Sequence, residues 1–242
     1  MPLRYFTILG ERCTGTHFLQ YAILKNFSGL EYKKGEKHFF GNRECRDSLT
    51  LDTFDKWSLH EKQMKELDAI PPDEVLVISL VRHPIDWIDS FFKRQHHVPS
   101  ENRESIEQFI QNEWYSIYEE APRTNEEIME DRNWRTKERY RDIFELRKEK
   151  VAYMLDHQPP HCIIRYEDLR DDYTATLDRL QQQFGLSRYN MAAYEPVPKY
   201  KGTFNALYEK KPILLTLEIQ KYIWEKVDQD QESRLGYQPE TS

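Results

Sequence analysis

The sequence predicts an α/β fold with a central parallel sheet flanked by helices, and three features point to it. Short β-rich apolar runs alternate with segments of helical spacing along the chain, the order that builds parallel sheets from strand–helix–strand units. The run Glu74 to Val81 (EVLVISLV) is almost continuously apolar, as suits a strand covered on both faces. A glycine-bounded loop, Gly10 to Gly15, stands between the first strand and the first helix. That placement gives the fold a P-loop, nucleotide-binding-like character.

Each element follows from local pattern. Arg4 to Leu9 reads as the first strand, ended by Gly10. From His17, the apolar residues Phe18, Leu19, Ala22, Ile23 and Phe27 recur at helical spacing. Tyr32 to Phe40 reads as a second strand, closed by Gly41. After the strand at Glu74 to Val81, Pro84 suits the first turn of a helix that Ile85, Ile88 and Phe92 continue. Ser105 to Glu120 is amphipathic, with Ile106, Phe109, Ile110, Trp114 and Ile117 on one face. Glu119 to Arg139 is the most charged and least periodic stretch, and reads as a mobile lid or a solvated loop. A helix from Tyr140 to Leu155 is stopped by Pro159-Pro160, and Cys162 to Tyr166 is a strand. Thr174 to Phe184 is a helix that Gly185 ends. Pro212 to Val227 is the last helix, before Leu235-Gly236-Tyr237 closes the domain. The expectation is one domain over 1–242, with a variable helical and loop region at 95–140.

Composition narrows the function classes. The chain has 242 residues, 38% hydrophobic and 32% charged, and a net charge of −7. That charge argues against a general nucleic-acid binder. It leaves room for a small basic pocket, because net charge says little about one site. No apolar run approaches the roughly 18–20 residues of a membrane span. Met1 to Gly10 reads as a strand rather than a signal peptide. A soluble, cytoplasmic chain with no membrane partner is therefore expected. Cys13, Cys45 and Cys162 have neither metal-ligand nor disulfide-framework spacing and read as free thiols. Asn26-Phe27-Ser28 is a formal glycosylation sequon, set aside for want of a secretory signal. His157 and His161 flank two prolines, and His60-Glu61 does not extend to a metal-binding motif, so no metal is expected.

The loop Gly10-Glu11-Arg12-Cys13-Thr14-Gly15-Thr16-His17 keeps the G-x-x-x-x-G spacing of a phosphate loop. Backbone N–H groups of such a loop, with a helix N-terminus behind them, attract anions. Thr14 and Thr16 add hydroxyls, and Arg12 adds charge. A nucleoside triphosphate-hydrolysing loop needs Lys after the second Gly and then Ser or Thr for Mg²⁺. Thr16 and His17 fill those places. The loop therefore suits a shorter 5′-anionic chain without a loop-bound Mg²⁺, such as a phosphosulfate. A plain glycine-rich turn is the alternative. Further on, Arg82 ends the apolar strand and Ser90 lies about two turns into the next helix. A guanidinium and a hydroxyl there suit one phosphate. The alternative is that Arg82 pairs with Asp86.

With these segments the chain resembles the sulfotransferases that use 3′-phosphoadenosine 5′-phosphosulfate (PAPS). Gly10, Gly15 and Thr16 match that family's loop for the 5′-phosphosulfate, with Arg12 one place before the usual basic slot, which Cys13 fills. Arg82, Pro84, Asp86 and Ser90 match its 3′-phosphate segment at full spacing. Ile164-Arg165-Tyr166-Glu167-Asp168-Leu169, followed by Phe184-Gly185-Leu186, resembles the late strand end and helix, which makes Tyr166 an adenine-pocket candidate. Lys199-Tyr200-Lys201-Gly202 resembles the late basic loop, and Leu235-Gly236-Tyr237 the family's terminus. The resemblance implies a sulfotransferase-type fold and transfer of a sulfuryl group from PAPS to an acceptor hydroxyl or amine. It implies 3′,5′-phosphoadenosine as co-product and no metal.

The donor site implied is Gly10, Arg12, Cys13, Thr14, Gly15, Thr16, His17, Arg82, Ser90, Tyr166, Lys201 and Gly202. Arg12, with Thr14, Gly15 and Thr16, would stabilise charge on the leaving group. His38, after Lys34 and Lys37, matches the family's K-x-H strand and would be the base. His17 and Glu36 are its rivals. The acceptor would be a saccharide or a small metabolite, with Trp134 the tryptophan expected to meet it. Two other readings compete: a P-loop nucleotide or small-molecule kinase, and a non-catalytic nucleotide-binding protein.

Overall fold

The computed structural model describes residues 2–35, 37–38, 65–121, 123–158, 160–197 and 210–239. Glu36, Cys45, His60 and the turn at 199–202, with Lys201 and Gly202, lie outside the described residues. The chain divides into two compact units, each drawn from three stretches of sequence. The first holds the described residues of 1–37, 54–82 and 157–212, and the second those of 38–53, 83–156 and 213–242.

The first unit is the α/β layer. Its strands are β1 (Tyr5–Leu9), β3 (Glu31–Tyr32), β4 (Val75–Val81) and β5 (His161–Arg165), all parallel, in spatial order β3-β1-β4-β5. Leu9 aligns with Ser79, and Val81 with Arg165. A small antiparallel pair joins β2 (Phe27–Ser28) to β6 (Ser187–Arg188). The helices of this unit include α1 (Thr16–Asn26), α5 (Tyr166–Asp171) and α6 (Tyr173–Phe184). Phe6, Ile8, Leu76, Ile78, Leu80 and Ile164 of the sheet pack with Leu19, Ile23, Leu169, Leu177 and Leu180 of these helices. The alternate residues Thr7, Leu9, Ser79 and Val81 are buried too, so β1 and β4 are covered on both faces, as the apolar run predicts.

Asn26 of the sequon is buried: its side-chain oxygen accepts the Glu195 N–H at 2.6 Å and its amide donates to the Ala22 carbonyl at 2.8 Å. Cys13 and Cys162 are free thiols, and burial pushes the Cys162 thiol up to about 12.

Of the strand expected at Tyr32–Phe40, only Tyr32, in β3, is strand among the described residues, and residues 36, 39 and 40 lie outside them. Beyond β3 the chain keeps alongside β1 without a regular ladder. Lys33 N–H donates to the Phe6 carbonyl at 2.8 Å, and the Lys37 carbonyl accepts the Gly10 N–H at 2.8 Å. Gly35 is needed on this path, since a Cβ there would stand 2.5 Å from Thr7 Oγ1.

The second unit is helical and polar at its edges. It contains α2 (Pro84–Arg94), α3 (Ile106–Gln111), α4 (Ile143–Leu155), α7 (Leu217–Lys226) and α8 (Gln229–Arg234). Pro84 begins α2 as expected. Side chains of Ser105, Asp142, Thr216 and Asp228 cap the next four helices. Trp87, Phe91, Phe109 and Trp114 form its aromatic core, with successive ring centroids 5.0–5.9 Å apart. Arg147 makes a buried two-pronged pair with Glu232 beneath Trp87.

Three spans need correction. The amphipathic stretch 105–120 is helical only over Ile106–Gln111, and Trp114 and Ile117 instead form isolated bridges with Tyr140 and Glu127. The helix expected from Tyr140 begins at Ile143 because Asp142 caps it. The helix expected over 212–227 begins at Leu217 because Thr216 caps it. The charged stretch folds on itself. Glu127 accepts hydrogen bonds from Arg132 and Arg139, and Arg139 also reaches Glu113 and lies 3.8 Å over the Tyr115 ring. No described helix is long and apolar enough to cross a membrane.

Candidate functional site

The winding of the sheet marks a candidate site. From β1 the chain moves to β3 on one side, then crosses to β4 on the other. The direction reverses between β1 and β4, and open parallel sheets bind ligands outside their strand carboxyl ends at such a reversal. The 10–15 loop leaves β1 at that point, Arg82 follows β4, and Tyr166 follows β5. All of them belong to the first unit.

The loop is shaped by its glycines. A Cβ at Gly10 would stand 2.9 Å from the Leu80 carbonyl and 2.9 Å from Thr16 Cγ2. Gly15 is the α1 N-cap at φ 94°, and a Cβ there would stand 2.6 Å from the Tyr166 ring. Hydrogen is the only side chain that fits either place without a shift. Thr14 closes the turn, its N–H and its hydroxyl both donating to the Glu11 carbonyl, at 3.2 and 2.6 Å. Cys13 takes φ 64°, a left-handed conformation unusual for a residue with a side chain. Its carbonyl accepts a hydrogen bond from Arg82 Nη1 at 2.9 Å.

Arg82 therefore ties the end of β4 to the loop. Its guanidinium also lies 4.7 Å over the Tyr166 ring, a cation–π placement. Tyr166 is 7% exposed and turns an edge to Phe18 at 6.4 Å. The strand expected to run through Tyr166 ends at Arg165, so Tyr166 begins α5 instead, and Arg165 beside it pairs with Asp168.

Arg12 is 4% exposed and lies 3.8 Å from the equally buried Glu11. Thr16 is buried at the start of α1, and His17 is exposed. His17 Nε2 lies 3.3 Å from Lys37 Nζ. Burial and the neighbouring Lys34 push the Lys37 ammonium down to about 8. No local pattern in the sequence places Lys37 at the loop. The Gly10–Lys37 hydrogen bond that places it spans the whole of α1.

Two proposed residues belong to the second unit. Ser90 is half-buried on α2, where Asp86 and Asp89 are buried. His38 is half-buried in a turn, not on a strand as expected, and its carbonyl accepts a hydrogen bond from Lys150. Trp134 packs on α4: its Nε1 donates to the Glu149 carbonyl at 3.1 Å and its ring meets Tyr153 at 5.4 Å. Among the described residues no group of three or more His, Cys, Asp or Glu side chains is placed to hold a metal ion.

No family model and no curated protein matches this chain.

Proposed function

We propose that this chain is a cytoplasmic sulfotransferase with a P-loop-like fold, which binds PAPS at the strand ends of the first unit and transfers its sulfuryl group to an acceptor hydroxyl or amine. Arg82 is the observation that carries the reading. It stands at the end of a central strand, contacts the anion-type loop through Cys13, and lies over the Tyr166 ring. A guanidinium so placed suits a phosphate beside a nucleoside.

In this reading the loop N–H groups and the N-terminus of α1 hold the 5′-phosphosulfate. The acceptor oxygen or nitrogen attacks sulfur, the bond from sulfur to the bridging phosphate oxygen breaks, and its electron pair stays on that oxygen. The growing charge is met by Thr14, Thr16 and the loop amides, with Arg12 behind them. Glu11 offsets part of the Arg12 charge, so the amides carry more of this task than the sequence suggests. His38 takes the acceptor proton. Ser90, Lys201 and Gly202 complete the 3′-phosphate site, and the 95–140 region serves a saccharide or small-metabolite acceptor.

The test is formation of 3′,5′-phosphoadenosine from PAPS with a panel of saccharide, phenol and amine acceptors, beside ATP with Mg²⁺. Acceptor-dependent release of the product supports the proposal. Phosphoryl transfer from ATP would replace it with the kinase reading. Binding of 3′,5′-phosphoadenosine without turnover on any acceptor would replace it with a non-catalytic nucleotide-binding protein.

A further inference from the structure

Lys150 of α4 is a charge that the proposed chemistry leaves unused. It is 1% exposed, and its ammonium pairs with Asp131, also 1% exposed. The second carboxylate oxygen of Asp131 accepts the buried Ser116 hydroxyl. The ammonium also donates to the main-chain carbonyl of His38. All four residues belong to the second unit. A buried ion pair is a poor source of stability, because desolvation offsets its attraction and apolar residues of similar volume often do as well. What an ion pair adds is direction: one proton of the ammonium is aimed at one carbonyl. Here that carbonyl belongs to the turn that carries the proposed base.

We propose that Lys150, neutralised by Asp131, is a positioning residue that sets where His38 stands. The inference rests on the reading of His38 as the base. Lys150 acts through the His38 main-chain carbonyl. It fixes the backbone from which the imidazole projects, and misplacement of a catalytic group by about 1 Å can cost on the order of 100-fold in rate. Asp131 holds the ammonium in place, and Ser116 orients Asp131.

The test uses the full chain with Lys150→Met and Asp131→Asn combined, which removes both charges together and leaves no buried ion unpaired. The ring signals of ¹³C-labelled histidine are followed, with His38 assigned by its loss in His38→Gln. The expected result is a shifted or broadened His38 signal and a kcat lower by about 10- to 100-fold. The affinity for 3′,5′-phosphoadenosine should stay within about twofold, since neither Lys150 nor Asp131 is among the residues proposed to hold that ligand. Lys150→Arg keeps the charge but moves the donor, so it should shift the same signal and lower kcat by a smaller factor. It serves as the test if the double variant does not fold.

A folded variant with an unchanged His38 signal, or a shifted signal with unchanged kcat, would overturn the proposal. So would a loss of kcat matched by an equal loss of nucleotide affinity. If the wild-type chain transfers nothing from PAPS, the sulfotransferase reading fails. Anchoring of the turn then stands or falls on the His38 signal alone.

Discussion

The 10–16 loop and the stretch at 113–141 both carry acidic and basic residues, but they use charge in opposite ways. In the stretch, Glu113, Glu127, Arg132 and Arg139 satisfy one another near the surface, and Arg side chains lie on Tyr115, Tyr118 and Trp134. Such pairs are screened by water and weak one by one. In the loop the charges are few and buried, Arg82 is joined to a backbone carbonyl, and two positions admit only glycine. The first pattern holds a polar segment together. The second keeps donors gathered at the end of a sheet. Apart from the buried Glu130 and Asp131, the dense charge of the stretch serves scaffold contacts, whereas the sparse charge of the loop is buried at the candidate site.

Substitutions at the loop should cost most. Gly15→Ala adds a Cβ against the Tyr166 ring at a left-handed position, and should lower stability by about 2–4 kcal/mol in a urea titration. A loss below about 0.5 kcal/mol would mean that the loop does not depend on this fit.

Arg82→Ala comes next. It should weaken 3′,5′-phosphoadenosine binding by about 30- to 100-fold in calorimetry, the range of a charge-assisted pair of hydrogen bonds. Equal affinities in mutant and wild type would remove Arg82 from the site.

A smaller effect is expected on the same sheet, away from the loop. Burial, with His157 nearby, holds the His161 imidazole down to about 4 against an ordinary 6.5, and Ser79 shares a hydrogen bond with it at 2.9 Å. The unfolded chain then takes up the proton first. This contribution to stability is full above about pH 6.5 and is lost as pH falls toward 4. After allowance for solvent screening, the loss should be on the order of 1–2 kcal/mol. His161→Asn should flatten that part of the stability profile, and an unchanged slope would contradict it.

Arg139→Gln should do least. It removes two ion pairs from the charged stretch, and should change stability by less than about 1 kcal/mol and nucleotide affinity not at all. A loss as large as that of Gly15→Ala would erase the contrast between the regions.

Several elements of both units were legible because their signals are local. The continuous run of β4, Pro84 at the start of α2 and Gly185 at the end of α6 each report on their own neighbourhood. The spacing of Gly10 and Gly15 marked the loop for the same reason. What misled was apolar spacing in irregular chain. Trp114 and Ile117 continue the pattern of α3, yet they face inward from bridges with Tyr140 and Glu127. The place of Lys37 beside the loop depends on a hydrogen bond to Gly10 across 27 positions of sequence, and no local pattern encodes that. The buried Glu11 beside Arg12 was equally hidden, because sequence shows which charges exist and not which of them is inside.

The proposed function requires that the strand ends of the first unit bind a 3′-phosphorylated adenosine nucleotide. A thermal-shift titration with 3′,5′-phosphoadenosine, beside ATP with Mg²⁺ and buffer alone, tests it most directly. At a ligand concentration about 100 times its Kd, the first ligand should add about 2.7 kcal/mol and raise Tm by roughly 5–10 °C. No rise with 3′,5′-phosphoadenosine, or a rise with ATP and Mg²⁺ alone, would contradict the account.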